Sequence, residues 1–244
     1  GKIVRSMGDK FRQINRFLEI VDDAVEACGF DSLTIVDFGC GKAYLTFILY
    51  YYLTYIRKIK ATMIGLDLKA DVIADCSAAA ENYGYSDLHF EVGDISSYPA
   101  NGPIDMVISL HACDTATDYA LYNAVKWGSR VILSVPCCQH ELNAQIKSDE
   151  FSMLTKYGII KERFAALATD ALRASLLEHE GYKTQVLEFV DLSHTPKNLL
   201  IRAVKTNISA KKKQRSLNEA KSFMRSFNAD PTLYKLLIGD DKDN

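Results

Sequence analysis

The chain has 244 residues, 48% hydrophobic and 25% charged, enough for one large domain with a substantial core and some extra elements. A net charge near −2 names no partner, and six cysteines without framework spacing exclude a disulfide scaffold and read as reduced thiols in a cytoplasmic protein. The most membrane-like stretch, Tyr44 to Ile56, is too short to span a bilayer and carries Thr46, Thr54 and five tyrosines, so no membrane partner is expected. In chain order, Ile14, Phe17, Leu18, Val21, Val25 and Cys28 share one face of a leading helix over 9–29. Strands follow near 33–38, 62–67, 88–92, 104–110 and 130–136, with helices near 44–59, 70–83 and 116–127. That alternation predicts an α/β fold with a doubly wound parallel sheet. A mostly helical stretch over 139–180 precedes two strands at 183–189 and 198–204, joined by a loop with Pro196. The expected organisation is a helical cap (1–30), an α/β domain (31–204) with a helical insertion (139–164), and a helical tail (205–244), basic first and then acidic. The first residue is Gly1, which fits a processed chain or a piece of a longer protein; no signal peptide is read.

Chemistry is announced by Asp37-Phe38-Gly39-Cys40-Gly41-Lys42-Ala43, directly after the apolar run Leu33-Thr34-Ile35-Val36. Gly39 and Gly41 allow a sharp turn and close approach of a ligand to the backbone. Asp37 argues about the ligand's charge, since pyrophosphate wants bare amides at a helix start whereas an ammonium is helped by a carboxylate. The dinucleotide pattern Gly-x-Gly-x-x-Gly fails because Tyr44 stands at its third glycine. Asp67, thirty residues after Asp37 at the next strand end, suits the hydroxyls of a ribose. Gly93-Asp94-Ile95 ends the third strand, where Asp94 would accept from an exocyclic amine. Capping of the following helices is the plain structural alternative for Asp67 and Asp94.

The first turn resembles motif I of the class I S-adenosylmethionine (SAM) methyltransferases, acidic-x-Gly-x-Gly-x-Gly, with Ala43 in the last glycine position. Gly93-Asp94-Ile95 resembles their adenine-holding element, and the closing strand pair resembles their sixth and seventh strands. The resemblance implies a Rossmann-like sheet, mostly parallel with an antiparallel last strand, and SAM as cofactor. Its cofactor contacts would fall on Asp37, Phe38, Gly39, Cys40, Gly41, Asp67, Leu68, Asp94, Ile95 and Leu110.

Acceptor chemistry belongs at the carboxyl ends of strands four and five, because ligands of open parallel sheets bind there. One strand runs into His111-Ala112-Cys113-Asp114-Thr115-Ala116-Thr117-Asp118 and the other into Pro136-Cys137-Cys138-Gln139-His140. A His-x-x-Asp pair can hold a neutral imidazole ready to take a proton. His111 oriented by Asp114 is therefore read as base or positioner, with Cys138 and His140 shaping the opposite wall. Asp114 or Thr117 as a helix cap, and Cys137-Cys138 as packing residues, remain open. A covalent cysteine mechanism lacks its second cysteine in place, and neither segment has zinc-type Cys-x-x-Cys spacing, so no metal is expected.

Those two clusters, with motif I and His194-Thr195-Pro196-Lys197-Asn198, resemble a narrower group of methyltransferase domains. It includes the Trm13-like tRNA 2'-O-methyltransferases, the methyltransferase-like 25 proteins and the glutathione-transferase-C-terminal-domain proteins. The present chain lacks the Cys/His zinc finger of the tRNA enzymes and inserts Gln139 where they run Cys-Cys-His. RNA is the expected partner. Lys10, Arg12, Gln13 and Arg16 on the leading helix are placed to meet phosphates, and Lys211-Lys212-Lys213 and Arg215 add a basic run in the tail. A solvated charged face is the plain alternative. A small-molecule or protein methyltransferase and a non-catalytic SAM- or RNA-binding module are the other classes carried forward; the oligomeric state is not legible.

Overall fold

The computed structural model of the chain describes residues 8–100, 102–110, 112–189 and 199–239, with residues 8–10 described by backbone alone. Strands β1 (Ser32–Phe38), β2 (Lys60–Asp67), β3 (Leu88–Val92), β4 (Met106–Ser109) and β5 (Val131–Ser134) run parallel. β6 (Tyr182–Glu188) and β7 (Leu199–Lys205) complete a seven-stranded sheet in the order β3-β2-β1-β4-β5-β7-β6. β7 is antiparallel to both neighbours, so it alone is reversed and β6 runs with the parallel set. Strand order turns around between β1 and β4, which opens a crevice at their carboxyl ends.

Alternation along each central strand divides the core in two. Ile35, Met106, Ile108, Val131 and Leu133 face one layer, while Val36, Val107 and Ile132 face the other. The first layer holds α1 (Gly8–Cys28), α2 (Tyr44–Tyr51) and α3 (Ala70–Tyr83). The second holds α4 (Thr115–Lys126), the short α5 (His140–Gln145) and the long α7 (Gly158–His179), with the short α6 (Ser152–Thr155) lying against α7. α8 (Ala210–Phe227) and α9 (Thr232–Ile238) belong to that layer too. On α1, Phe17, Ile20, Val21 and Val25 are buried. At roughly 1.5–3 kcal/mol each, they outweigh the marginal stability of a lone helix.

One expectation is adjusted. The helix after β1 is α-helical only to Tyr51 and continues as a π-helical turn over Tyr52–Ile56, where the Arg57 amide donates to the Tyr52 carbonyl at 2.9 Å. The extra residue in that turn keeps Leu53 buried while Arg57 pairs with Asp22 of α1. The tail is docked: Leu217, Ala220, Phe227, Leu233 and Tyr234 are buried against the second layer. Among the described residues no helix is long and apolar enough to cross a membrane.

Candidate cofactor and acceptor site

The turn after β1 is built from alternating left-handed positions, Gly39 at φ 68°, Gly41 at φ 51° and Ala43 at φ 53°. Gly39 and Cys40 donate their amides to the Leu66 carbonyl at 2.8 and 3.0 Å. The Gly41 amide donates to Asp67 Oδ2 at 3.0 Å, and the Lys69 backbone amide donates to Oδ1 at 3.0 Å. Asp67 thus fixes the glycine turn to the end of β2 and keeps lone pairs on both oxygens for further donors. A Cβ on Gly41 would meet no atom within 4 Å, so the turn opens onto free space.

Two cavities are lined by other residues of this turn. One, of about 250 Å³, is walled by Asp37, Cys40, Thr46 and Leu110 beneath Gln13 and Ile14 of α1. The other, of about 360 Å³, is walled by Gly39, Asp67, Leu68, Asp94, Ile95 and Cys113. Asp37 is 5% exposed, accepts from the Thr46 hydroxyl at 2.6 Å, and is pushed up to about 7 by burial against the lowering effect of that hydroxyl. A buried carboxylate of this kind is relieved by a cationic ligand group. Asp94 is the reverse case. Its Oδ1 accepts from the Ser96 amide at 2.8 Å and the Ser96 hydroxyl at 2.9 Å, which hold its carboxyl below the usual range and leave Oδ2 for a ligand amine. Asn123 of α4, buried, donates to the Ile95 carbonyl and so positions this loop.

Most of the expected cofactor residues therefore line these two cavities, while Gly41 and Phe38 line neither. Phe38 is fully buried and stacks on Trp127 at 5.7 Å in the second layer, because strand alternation turns it away from Asp37. The rest form an acidic methionine-sized end and a nucleoside-sized end on either side of the glycine turn, an arrangement that fits SAM: an ammonium at Asp37, a ribose at Asp67, and a base between Leu68 and Ile95 with its amine at Asp94.

On the acceptor side, the loops after β4 and β5 are joined from beneath. Asp114, at φ 52°, accepts from the Glu141 amide at 3.1 Å through Oδ1. The buried Arg173 of α7 donates to the Asp114 carbonyl at 2.9 Å, to Asp118 Oδ1 at 2.8 Å and to Asp170 Oδ1 at 3.2 Å. Burial pushes Asp118 and Asp170 up, Asp170 to about 6, and Arg173 opposes the rise in both. Gln139, buried, donates to Asp170 Oδ2 at 3.4 Å, and Thr117 Oγ1 to the Ala112 carbonyl at 2.8 Å. Much of the two clusters is thus scaffold. His111 lies outside the described residues, as does the segment from His194 to Asn198. His140 is exposed at the start of α5. Cys137 and Cys138 are half-buried and Cys113 is exposed, and these three thiols converge. Burial and the neighbouring thiols push Cys137 up to about 12, which makes it a poor thiolate nucleophile.

Of the four residues expected to meet the acceptor, Gln13 lines the cavity over Asp37. Arg12 and Arg16 are exposed one turn apart on α1, Arg16 bonded to Glu19 at 3.2 Å, and the Lys10 side chain is outside the described set. The basic run of the tail lies elsewhere. β7 ends and β6 begins at the amino ends of the parallel strands, since Val204 pairs with Val131 and Tyr182 with Lys205. Lys212 reaches Glu178 at 3.5 Å there, and the Lys213 carbonyl meets His179 Nδ1 at 3.2 Å, so Lys211 to Lys213 occupy the sheet edge opposite the crevice. Sequence reasoning missed Arg173 and Asn123, each of which acts across a long stretch of chain.

A crevice of this form on a sheet of this order defines a class I, Rossmann-like methyltransferase fold. The family described as Methyltransferase domain matches residues 9–145, more than half of the chain, and the chain belongs to that family. It is a SAM-dependent methyltransferase, and SAM supplies an electrophilic methyl group on a sulfonium. No curated protein matches the sequence. Among solved structures, the fold is similar to magnesium protoporphyrin IX methyltransferase of Synechocystis PCC 6803 bound to SAM, at 16% identity and TM-score 0.50, over 84% of this chain and 86% of that one. It is also similar to geranyl diphosphate C-methyltransferase of Streptomyces coelicolor A3(2), at 11% identity and TM-score 0.50, over 84% and 88% of the two chains. At such identities the likeness is one of fold.

Proposed function

We propose that this methyltransferase acts on RNA by direct transfer, with the acceptor entering beside α1. The observation that carries the reading is the double role of one helical turn. Gln13 and Ile14 wall the cavity over Asp37, while Arg12 and Arg16 are exposed one turn apart on the same helix. Exposed ion pairs contribute little, so the Arg16 contact with Glu19 is readily exchanged for a phosphate. The resemblance to the Trm13-like and methyltransferase-like 25 group supports the same substrate class. In this reading His111, oriented by Asp114, serves as base or positioner for the acceptor, and Cys138 with His140 shapes the facing wall. Orientation supplies most of the rate in such a reaction, and a base adds to it.

A small-molecule acceptor is the second reading. It is favoured by the position of Lys211 to Lys213 at the opposite sheet edge, which leaves the crevice without a continuous basic track. The deciding experiment is a tritiated-methyl transfer assay with total RNA, protein extract and metabolite extract as separate acceptors. Label in RNA that disappears with ribonuclease supports the proposal; label confined to metabolites overturns it in favour of the second reading.

A further inference from the structure

We propose that Cys113, Cys137 and Cys138 form a three-thiolate site for zinc at the carboxyl ends of β4 and β5, on the wall of the nucleoside cavity. Their sulfur atoms all lie within 4.8 Å of one another, although they come from two loops. Cys113 and Cys137 are 2.8 Å apart and Cys137 and Cys138 3.6 Å apart. Zinc bound tetrahedrally at ~2.3 Å from each sulfur requires sulfurs ~3.8 Å apart. The second distance already matches. The first falls short by about 1 Å, and it is far longer than the ~2.05 Å of a disulfide. Cys113 is the exposed member of the three, so a side-chain rotation opens that gap without disturbing the core.

The frame around the thiols is fixed before any ion arrives. Thr117 holds the Ala112 carbonyl at 2.8 Å, Asp114 holds the Glu141 amide at 3.1 Å, and the Val135 amide donates to Ser109 at 2.8 Å across the strand ends. Soft sulfur donors in a tight group select zinc over magnesium or calcium, which take oxygen. Three protein ligands leave the fourth position of a tetrahedral ion for water or an acceptor atom. Cys-x-x-Cys spacing detects ligands that share a loop; here the chain separates Cys113 from Cys137 and the sheet brings them back together.

The test uses the whole chain, reduced, stripped with a chelator, and titrated with zinc or cobalt(II) in the absence of SAM. One zinc per chain, a thiolate-to-cobalt charge-transfer band, and zinc-dependent protection of three thiols from maleimide are the expected results. Cys113→Ser, Cys137→Ser and Cys138→Ser should each weaken zinc binding at least tenfold, with folding checked by circular dichroism, whereas Cys28→Ser should not. No thiolate band and unchanged maleimide reactivity overturn the proposal, as does a Cys113–Cys137 disulfide that resists the reducing agent. Because no cofactor or acceptor is present, the result is independent of the RNA reading.

Discussion

Replacing Asp37 by Asn separates what this carboxyl does for the fold from what it does for the cofactor. Burial raises it from 3.8 to about 7. Between those values the folded protein holds a proton that the unfolded chain has released, so stability falls as pH rises through the window, and the penalty is complete above about pH 7. A roughly thousandfold change in proton affinity corresponds to ~4 kcal/mol as an upper bound. For a chain of this size that is roughly 8–16 °C in melting temperature at most. Asp37→Asn removes the penalty and keeps an acceptor for the Thr46 hydroxyl. Its melting temperature without ligand should therefore match wild type near pH 4 and exceed it increasingly up to pH 7, with a constant gap beyond. Cofactor binding should move the other way, losing about 10- to 100-fold as a charged hydrogen bond to the ammonium is lost. Thermal melts across pH and calorimetry with SAM or its demethylated product supply both readings. A melting difference independent of pH, or undiminished affinity in the variant, would show that Asp37 is not the buried partner of the ligand's ammonium.

Gly41→Ala should cost only ~1–2 kcal/mol of stability, the strain of a left-handed alanine, because open space surrounds its Cβ; calorimetry should find SAM binding reduced far more than that. By contrast, Gly65→Ala places a methyl 2.6 Å from the Phe90 ring and should destabilise by ~1–3 kcal/mol, measured by denaturant unfolding. Arg173→Ala leaves Asp118 and Asp170 buried without their cation and should cost ~3–5 kcal/mol near pH 8, less at acid pH, because both carboxyls lose the lowering effect of Arg173 and take up protons more readily. Arg12→Ala with Arg16→Ala should change stability by less than ~0.5 kcal/mol, as surface replacements do, while RNA methylation collapses; a large loss of stability would make these side chains structural. His111→Ala should lower turnover by roughly two to four orders of magnitude with SAM affinity little changed, and full activity in that variant would move the chemistry elsewhere.

The five parallel strands were legible because strands covered on both faces read as short apolar runs, and Leu33 to Val36 or Met106 to Ile108 can hardly be anything else in such an alternation. The glycine turn, Asp67 and Asp94 were legible for a related reason: each places an acidic residue at or just after a strand end. The orientation of the Phe38 side chain was not legible because a motif records which residues surround a turn and not which way the last strand residue points. The π-helical turn at Tyr52 has no periodicity of its own over five residues. Arg173 was invisible because its partners lie at Asp114 and Asp118, and only the packing of α7 under α4 joins them. Basic residues at 211–213 belonged to the right helix, but nothing in their composition says which edge of the sheet that helix begins on.

Arg173 also bears on where a working unit of this protein can be cut. The family pattern ends at residue 145, yet the guanidinium that neutralises Asp118 and props the loop at Asp114 arrives from residue 173, and β5 is covered on its outer side by β7. A fragment trimmed to the recognisable pattern would keep the glycine turn and all three acidic strand ends while exposing a sheet edge and stranding a buried anion. Boundaries drawn by resemblance and boundaries drawn by physics thus differ here by at least the length of α7 and the closing strand pair, and it is the second that an expression design has to respect.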